Sequence, residues 1–362
     1  MKSAGCTLLL TCLLSVPLFG VGAEPAPDPL GEALPLLQSG FVDFSRLQIQ
    51  PGEQLKDIVL SSGNEISLES PAAVQATPPP IMAALLPEQI VYCRAASFRP
   101  ASSWADLTGQ LEKWLELGAQ GIVLDLRSNG APDDFDGAGH LAGLFLSAGT
   151  PLFDLRDVGG KIQSYSSIPP GLDSLTGVTL PCPVPLVVLT DKHTSGAAEG
   201  LAASLRMHAA LVLGEATAGE GGLFADHPLA SGQILHYLVG EVVMPDGTTL
   251  WDHPVIPDID VTADAKKEQV ALALIGQQHI ADVIGEAAQR HRMSEASLVR
   301  GEDPEIDASL AAQAAGAGGL PSPLATQDIV LVDALDSLKA IHFSQQADAA
   351  PAAGPSNPPT VR

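Results

Sequence analysis

Short, continuous apolar runs recur through the centre of the sequence. Runs of this kind, rich in Val, Ile and Leu and bounded by turn residues, are typical of strands that are buried on both faces of a sheet. They predict strands at 89–95, 121–126, 184–190 and 211–214, with one or two more within 233–243.

Between these runs the apolar residues follow the helical period instead. Leu107 and Leu111, four positions apart, would lie on one face of a helix. Spacing of this kind predicts helices at 104–117, 136–148 and 197–207. Strands that alternate with helices predict an α/β core.

Helical spacing also flanks the core. Apolar positions in 32–61 predict two or three short helices, 265–292 is again helical, and a further short element is predicted at 329–341. Pro-rich and Ala/Gly-rich stretches separate these parts. The predicted organisation is a leader at 1–23, a helical N-terminal region at 24–69, a linker at 70–88, a core at 89–262, a helical C-terminal region at 263–343 and a disordered tail at 344–362.

The first residues have the composition of a secretory signal. Lys2 supplies a positive start, an apolar run follows at 8–19, and the small residues at 21–23 precede Glu24. We therefore predict cleavage after Ala23 and export to the periplasm or the medium. No later stretch is long and apolar enough to predict a membrane helix.

Composition and charge narrow the classes of partner. Apolar residues make up 46% of the chain, enough for a packed core, and the formal net charge is −24. Nucleic acid and anionic membrane surfaces are excluded as partners because both would be repelled. Cys93 and Cys182 remain after the predicted cleavage. They could pair in an oxidising compartment or be two buried thiols.

No cofactor or metal is predicted. The histidines and cysteines lack the spacing of a zinc site, and no phosphate-binding loop of Walker type is present. The acidic run at 133–136 lacks the length and the final Glu of a calcium loop. It is instead typical of a helix N-terminus, where the helix dipole favours negative charge.

Several segments, in order and with near-family spacing, resemble the tail-specific or C-terminal processing proteases. Each segment alone is a weak signal, but their order makes the resemblance specific. The segments are 90–98, 121–129 ending in Asp-Leu-Arg-Ser-Asn, 185–199 containing Thr-Ser-Gly-Ala-Ala-Glu, 214–221 reading Gly-Glu-Ala-Thr-Ala-Gly-Glu-Gly, and 257–261 reading Pro-Asp-Ile-Asp-Val.

The resemblance implies a crotonase/ClpP-like fold of β-β-α units. The N-terminal segment 32–61 also resembles the short helical region that precedes the core in this family. The PDZ domain usual in the family is expected to be absent, because only about 25 residues separate the helical region from the core and a domain needs at least about 50.

The same resemblance implies that the catalytic side chains are missing. Family members use a serine nucleophile and a lysine base whose pKa is lowered by burial. Those positions align with Gly196 and Glu220, and a glutamine that orients the lysine aligns with Phe224. The oxyanion turn reads Gly130-Ala131-Pro132, in which Pro132 has no N–H to donate.

Three hypotheses for function follow. The favoured one is a non-catalytic relative with the peptide-binding groove kept, whose partner is a peptide or unfolded polypeptide. The second is an active serine endopeptidase rebuilt around Ser195, with His193, His140 or Glu220 as the base. The third is a scaffold or binding protein that uses its acidic surface or C-terminal helices.

Ser195 has a competing structural interpretation. It lies one residue before the expected nucleophile, and a shift of one residue at a helix start turns a side chain by roughly a third of a turn. Thr194 and Ser195 precede the predicted helix at 197–207. We therefore expect them to cap that helix.

Overall fold

The computed structural model describes residues 29–42, 44–47, 49–70, 81–98, 103–129, 134–169, 181–277, 280–284 and 327–349. Its strands are β1 Ile66–Glu69, β2 Met82–Leu86, β3 Ile90–Arg94, β4 Gly121–Asp125, β5 Pro151–Asp157, β6 Ile162–Ser166, β7 Leu186–Thr190, β8 Leu211–Gly214, β9 Gly222–Pro228, β10 Ile234–Val243 and β11 Ile259–Asp260. Its α-helices are α1 Pro29–Gly40, α2 Leu55–Ser61, α3 Ser103–Glu116, α4 Phe135–Ala142, α5 Ala197–Met207, α6 Ala265–Gly276, α7 Ile280–Ile284 and α8 Ile329–Ala349.

The central sheet has six strands in the order β11-β8-β7-β4-β3-β2. All are parallel except β2, which runs antiparallel to β3 at the edge. The parallel strands read as nearly unbroken apolar runs because helices cover both faces. Their carboxyl ends meet at one edge, where Arg94, Asp125, Thr190 and Gly214 are brought together by the register.

Two layers of helices cover the central sheet. On one face α3, α4 and α5 bury Leu111, Leu141 and Leu201 in a hydrophobic cluster with alternate strand residues. On the other face α6, α7 and α8 bury a second cluster that includes Ile275 and Leu331. The site-bearing loops therefore start from strands that are fixed from both sides.

The second sheet is antiparallel, in the order β1-β10-β5-β6, with β9 also paired to β10. Strand β1 belongs to the N-terminal region, and its Ile66 lies opposite Tyr237 of β10. Leu37 of α1 and Ile58 of α2 pack on this sheet in a third cluster. The N-terminal region therefore packs as part of the core's second sheet.

The predicted α/β fold, with helical regions at both ends, is confirmed. The prediction of β8 agrees in both bounds, as does that of α5. Helix 136–148 was predicted too long, because it ends at Ala142 and the chain then turns at Gly143. A Cβ on Gly143 would lie 1.8 Å from Ile168 O, so only glycine allows this approach.

Other predicted boundaries need correction. The predicted linker 70–88 contains β2, whose Ala- and Leu-rich sequence has no strand alternation and becomes a strand by pairing with β3. The predicted helical stretch 24–69 ends in strand β1. The tail predicted from 344 begins inside α8, since residues up to Ala349 continue that helix. The leader 1–23 lies outside the described residues.

Candidate functional site

The candidate site lies at the carboxyl edge of the central sheet. Three loops converge there: 126–129 after β4, 191–196 after β7, and 215–221 after β8. In open α/β sheets this edge is where ligands usually bind. The loops contain Gly196 and Glu220, which the resemblance aligns with the catalytic serine and lysine. Phe224, aligned with the orienting glutamine, lies on β9 instead.

Gly196 forms the sharp turn between the loop after β7 and helix α5. Its backbone has φ 59° and ψ −126°, a region that disfavours any residue with a Cβ. Its N–H donates to Glu220 O over 3.3 Å. The position aligned with the nucleophile therefore occupies a tight strand-to-helix elbow, and it has no side chain.

Ser195 is held by its backbone and not by its hydroxyl. Its N–H donates to Asn129 O (3.1 Å), and its carbonyl accepts the Ala198 N–H (3.2 Å). Within the described part of the chain, Ser195 Oγ makes no hydrogen bond. The predicted capping role is wrong, because the N-cap residue of α5 is Gly196 and no side chain caps the helix. Thr194 Oγ1 instead lies 2.9 Å from Asp191 Oδ1.

The Glu220 carboxylate is hydrogen-bonded to the N-terminal region. Oε1 accepts a hydrogen bond from Asn64 Nδ2 at 2.8 Å, which links the loop after β8 to the N-terminal region. The Glu220 carbonyl accepts N–H groups from Gly196 and Gly222. In the described residues no hydrogen bond joins Glu220 to Ser195, so the structure does not bring these two candidates together as a base and nucleophile.

Glu199 braces the loop after β8. This fully buried side chain accepts hydrogen bonds from the Thr217 hydroxyl, from Gly219 N–H at 2.7 Å and from Glu220 N–H at 2.8 Å. Burial raises the pKa of Glu199 to about 7, although those hydrogen bonds act in the opposite direction. The carboxylate thus sets the position of the Glu220 backbone relative to the elbow.

Asp191 braces the other two loops. Its buried carboxylate accepts the Ser128 N–H (2.8 Å), the Ser128 hydroxyl (2.9 Å) and the His193 N–H (3.1 Å). Ser128 has a positive φ of 54°, and Asn129 Nδ2 binds Ala95 O at 2.7 Å. The turn that begins the oxyanion segment is therefore held at several points. Gly130 and Ala131 themselves, with Pro132, lie outside the described residues.

Phe224 lies on β9 in an aromatic group. Its ring stacks on His236 with centroids 4.5 Å apart, and it meets Trp251 edge-on at 5.5 Å. His236 Nδ1 is 2.5 Å from Asp226 Oδ1. A packed aromatic ring therefore occupies the position aligned with the orienting glutamine.

The remaining candidates are separate from Ser195. His193 is exposed on the loop after β7, and His140 lies on α4. Neither bonds the Ser195 hydroxyl. Among described residues, no group of three or more His, Cys, Asp or Glu side chains could hold a metal ion. Cys93 and Cys182 are free thiols, and burial raises the pKa of each to about 12.

A groove of about 550 Å³ adjoins the loop after β8. It separates the N-terminal region from this loop, and the Asn64–Glu220 hydrogen bond lies in its wall. Its lining is mostly polar and includes Arg46, Ser62, Asn64, Glu65, Glu220 and Trp251. Trp251 Nε1 donates to Glu65 Oε1 at 3.2 Å, which fixes one side of the groove.

The bracing residues were missed at the level of sequence. Asp191 followed two and three residues later by His193 and Thr194 is a local signal, since an Asp carboxylate often binds N–H groups just ahead of it. Glu199 gave no comparable signal of its role, because its partners are about twenty positions further along the chain.

Comparison with known proteins finds similarity over the segment that carries these three loops. The profile described as peptidase family S41 matches residues 89–261. The chloroplastic C-terminal processing peptidase of Tetradesmus obliquus is 29% identical over 187 residues, which cover 50% of this chain and 38% of that protein. Residues 89–261, just under half of the chain, are therefore similar to peptidase family S41, and the chain spans well under half the length of this curated relative.

Two solved structures are similar to parts of this chain. The photosystem II D1 C-terminal processing protease is 24% identical, with 54% of this chain and 47% of that chain covered and a TM-score of 0.38. A lipoprotein from Streptococcus agalactiae is 19% identical, with 73% and 99% covered and a TM-score of 0.48. No described helix of this protein is long and apolar enough to cross a membrane.

Proposed function

We propose that this protein is a non-catalytic member of peptidase family S41 that binds unfolded polypeptide without cleaving it. The observation that carries the proposal is the elbow at Gly196. A serine peptidase needs a hydroxyl there and a base that takes its proton. Gly196 offers no nucleophile, and the carboxylate of Glu220 is engaged with Asn64.

The hydroxyl next to the elbow does not replace the missing one in this geometry. Ser195 Oγ has no hydrogen-bonded base in the described part of the chain, and activation requires a base within about 2.6–3.2 Å or one bridging water. Of the candidate bases, His193 is exposed and Glu220 is hydrogen-bonded to Asn64.

Polypeptide binding is supported by the order that the site retains. Glu199 and Asp191 hold three loops in a fixed arrangement although the aligned catalytic side chains are absent. Buried carboxylates are costly unless they are fully bonded, so their hydrogen bonds keep the three loops in one arrangement. The open groove beside Glu220 supplies a surface for an extended chain.

The test combines cleavage, labelling and binding. The purified protein is incubated with a fluorescent unfolded polypeptide, and intact mass and anisotropy are measured. We expect binding, no fragments, and no covalent labelling by a fluorophosphonate probe. The control is Ser195→Ala, which we expect to behave like the wild type in all three assays.

Fragments or probe labelling that disappear in Ser195→Ala would instead establish an active peptidase rebuilt around Ser195. Absence of binding to any unfolded polypeptide would contradict the binding half of the proposal. A known serine hydrolase, labelled in parallel, is the positive control for the probe.

We further propose that the protein is exported. The basis is the leader-like sequence at 1–23. Expression of the full sequence in a bacterium, followed by fractionation and mass measurement, should yield a periplasmic product that begins at Glu24. A cytoplasmic product that retains Met1 or Lys2 would contradict this proposal.

A further inference from the structure

Arg127 is fully buried at the end of β4, and all of its guanidinium donors are used. Nε and Nη2 donate to the two oxygens of Asp125 at 3.0 and 2.7 Å. Nη1 and Nη2 donate to the two oxygens of Asp328 at 3.0 and 2.7 Å, and Nη1 also reaches Glu268 Oε1 at 3.3 Å. A guanidinium has five N–H donors, so each one has an acceptor.

Asp328 connects this guanidinium to helix α8. Its side chain is 1% exposed, and Oδ1 also accepts the Leu331 N–H at 3.1 Å, so the same carboxylate caps the helix. Its own N–H donates to Val283 O of α7 at 2.9 Å. The start of α8 is therefore bonded directly to the end of β4, far away in sequence.

On its other side Arg127 leads into the candidate site. The next residue, Ser128, has a positive φ and is held by Asp191. Asn129 O then accepts the Ser195 N–H at 3.1 Å. Hydrogen bonds and consecutive residues thus connect the start of α8, through Arg127 and the turn at 128–129, to Ser195.

We propose that Asp328 is a positioning residue for the candidate site, acting through Arg127. Without its carboxylate, two buried guanidinium donors lose an acceptor, and a buried cation that lacks acceptors moves towards water or another partner. Arg127 cannot lose its charge instead. Because Ser128 follows Arg127 directly, its turn moves as well, and the Asn129–Ser195 hydrogen bond weakens. The C-terminal helix is thereby part of the site's support.

Amide hydrogen exchange in the full chain, followed by mass spectrometry, tests this inference. Asp328→Asn keeps the size of the side chain and its ability to cap a helix but removes the charge. We expect exchange in 126–129 and 191–198 to become about tenfold faster. Exchange in the β5–β6 hairpin of the second sheet should not change, whereas a general loss of stability would accelerate it too.

The matched control is Asp336→Asn on the same helix. Asp336 is half exposed and pairs with Lys339, so this variant should leave every segment unchanged. Asp328→Glu, which restores the charge, should recover slow exchange. Unchanged exchange in 191–198, or equal acceleration in the β5–β6 hairpin, overturns the proposal. If Asp328→Asn does not fold, Glu268→Gln should accelerate the same two segments less, and no acceleration there overturns the proposal equally.

Discussion

Glu199 combines two properties that usually conflict. Its carboxylate is fully buried, which disfavours the charged form, yet it accepts one hydroxyl and two N–H groups, which favour that form. Burial dominates and raises the pKa to about 7. The brace of the loop after β8 therefore changes protonation close to neutral pH.

This shift makes the stability contribution of Glu199 depend on pH. The folded-state pKa of about 7 is above the ordinary value of 4.5, so the contribution is fully present below about pH 4.5 and is lost as pH rises through 7. The integrated effect is roughly 3 kcal/mol. Denaturant unfolding from pH 4.5 to 8 should show that the free energy of unfolding falls with pH in the wild type relative to Glu199→Gln. Parallel curves for the two proteins would contradict the assignment.

The elbow conformation of Gly196 leads to a second prediction. With φ 59° and ψ −126°, any side chain there is strained, so Gly196→Ala should lower the free energy of unfolding by about 1–3 kcal/mol. Gly276→Ala is the control, because that glycine ends helix α6 without a positive φ and has open space around it. It should be neutral or stabilising. Equal effects of the two changes would show that the elbow carries no strain.

Helix α8 is held to the central sheet by an apolar face. Val330, Leu331, Ala334, Leu335 and Leu338 are all buried there, against the cluster that also contains α6 and α7. Leu338 packs on Gly121 so closely that a Cβ on that glycine would lie 3.0 Å from Leu338 Cδ2. The helix therefore fits a surface where β4 begins with a residue that has no side chain.

Truncation of Leu338 tests how much this contact stabilises the fold. Leu338 is 2% exposed, so Leu338→Ala should lower the free energy of unfolding by about 2–5 kcal/mol through lost burial and the cavity that remains. Phe343 lies on the same helix but is 74% exposed, and Phe343→Ala should change it by less than about 0.5 kcal/mol. Denaturation midpoints measure both. A small effect at Leu338 would mean that α8 contributes little to the core.

The strands that could be predicted from the sequence are those buried on both faces of the sheet. The parallel strands were predictable because their apolar runs have a single explanation. Strand β6 was not, because Ile162–Ser166 is mostly exposed and polar, and its pairing with β5 decides its structure. At the site, the resemblance aligned Gly196, Glu220 and Phe224. The hydrogen-bond partner of Glu220 could not be predicted, because it is Asn64, which only folding brings near.

At the scale of the whole molecule, the N-terminal region and the core form one structure around the candidate site. Strand β1 extends the second sheet, and the Asn64–Glu220 and Glu65–Trp251 hydrogen bonds join the two parts in the walls of the groove. The groove is therefore shaped by both parts. A ligand that enters it would contact both at once, and the charge of the molecule as a whole would act on its approach.

The net charge of −24 predicts which unfolded polypeptides bind best. The acidic protein attracts cationic polypeptides electrostatically, and dissolved salt screens this attraction. Raising the ionic strength from about 50 to about 200 mM should therefore weaken the binding of a cationic unfolded polypeptide by about tenfold. An anionic polypeptide of equal length should bind more weakly at low salt, and the two affinities should converge as salt is added. Fluorescence anisotropy measures all four conditions. Affinities that do not depend on salt would mean that recognition rests on backbone and apolar contacts within the groove, with no contribution from the acidic surface.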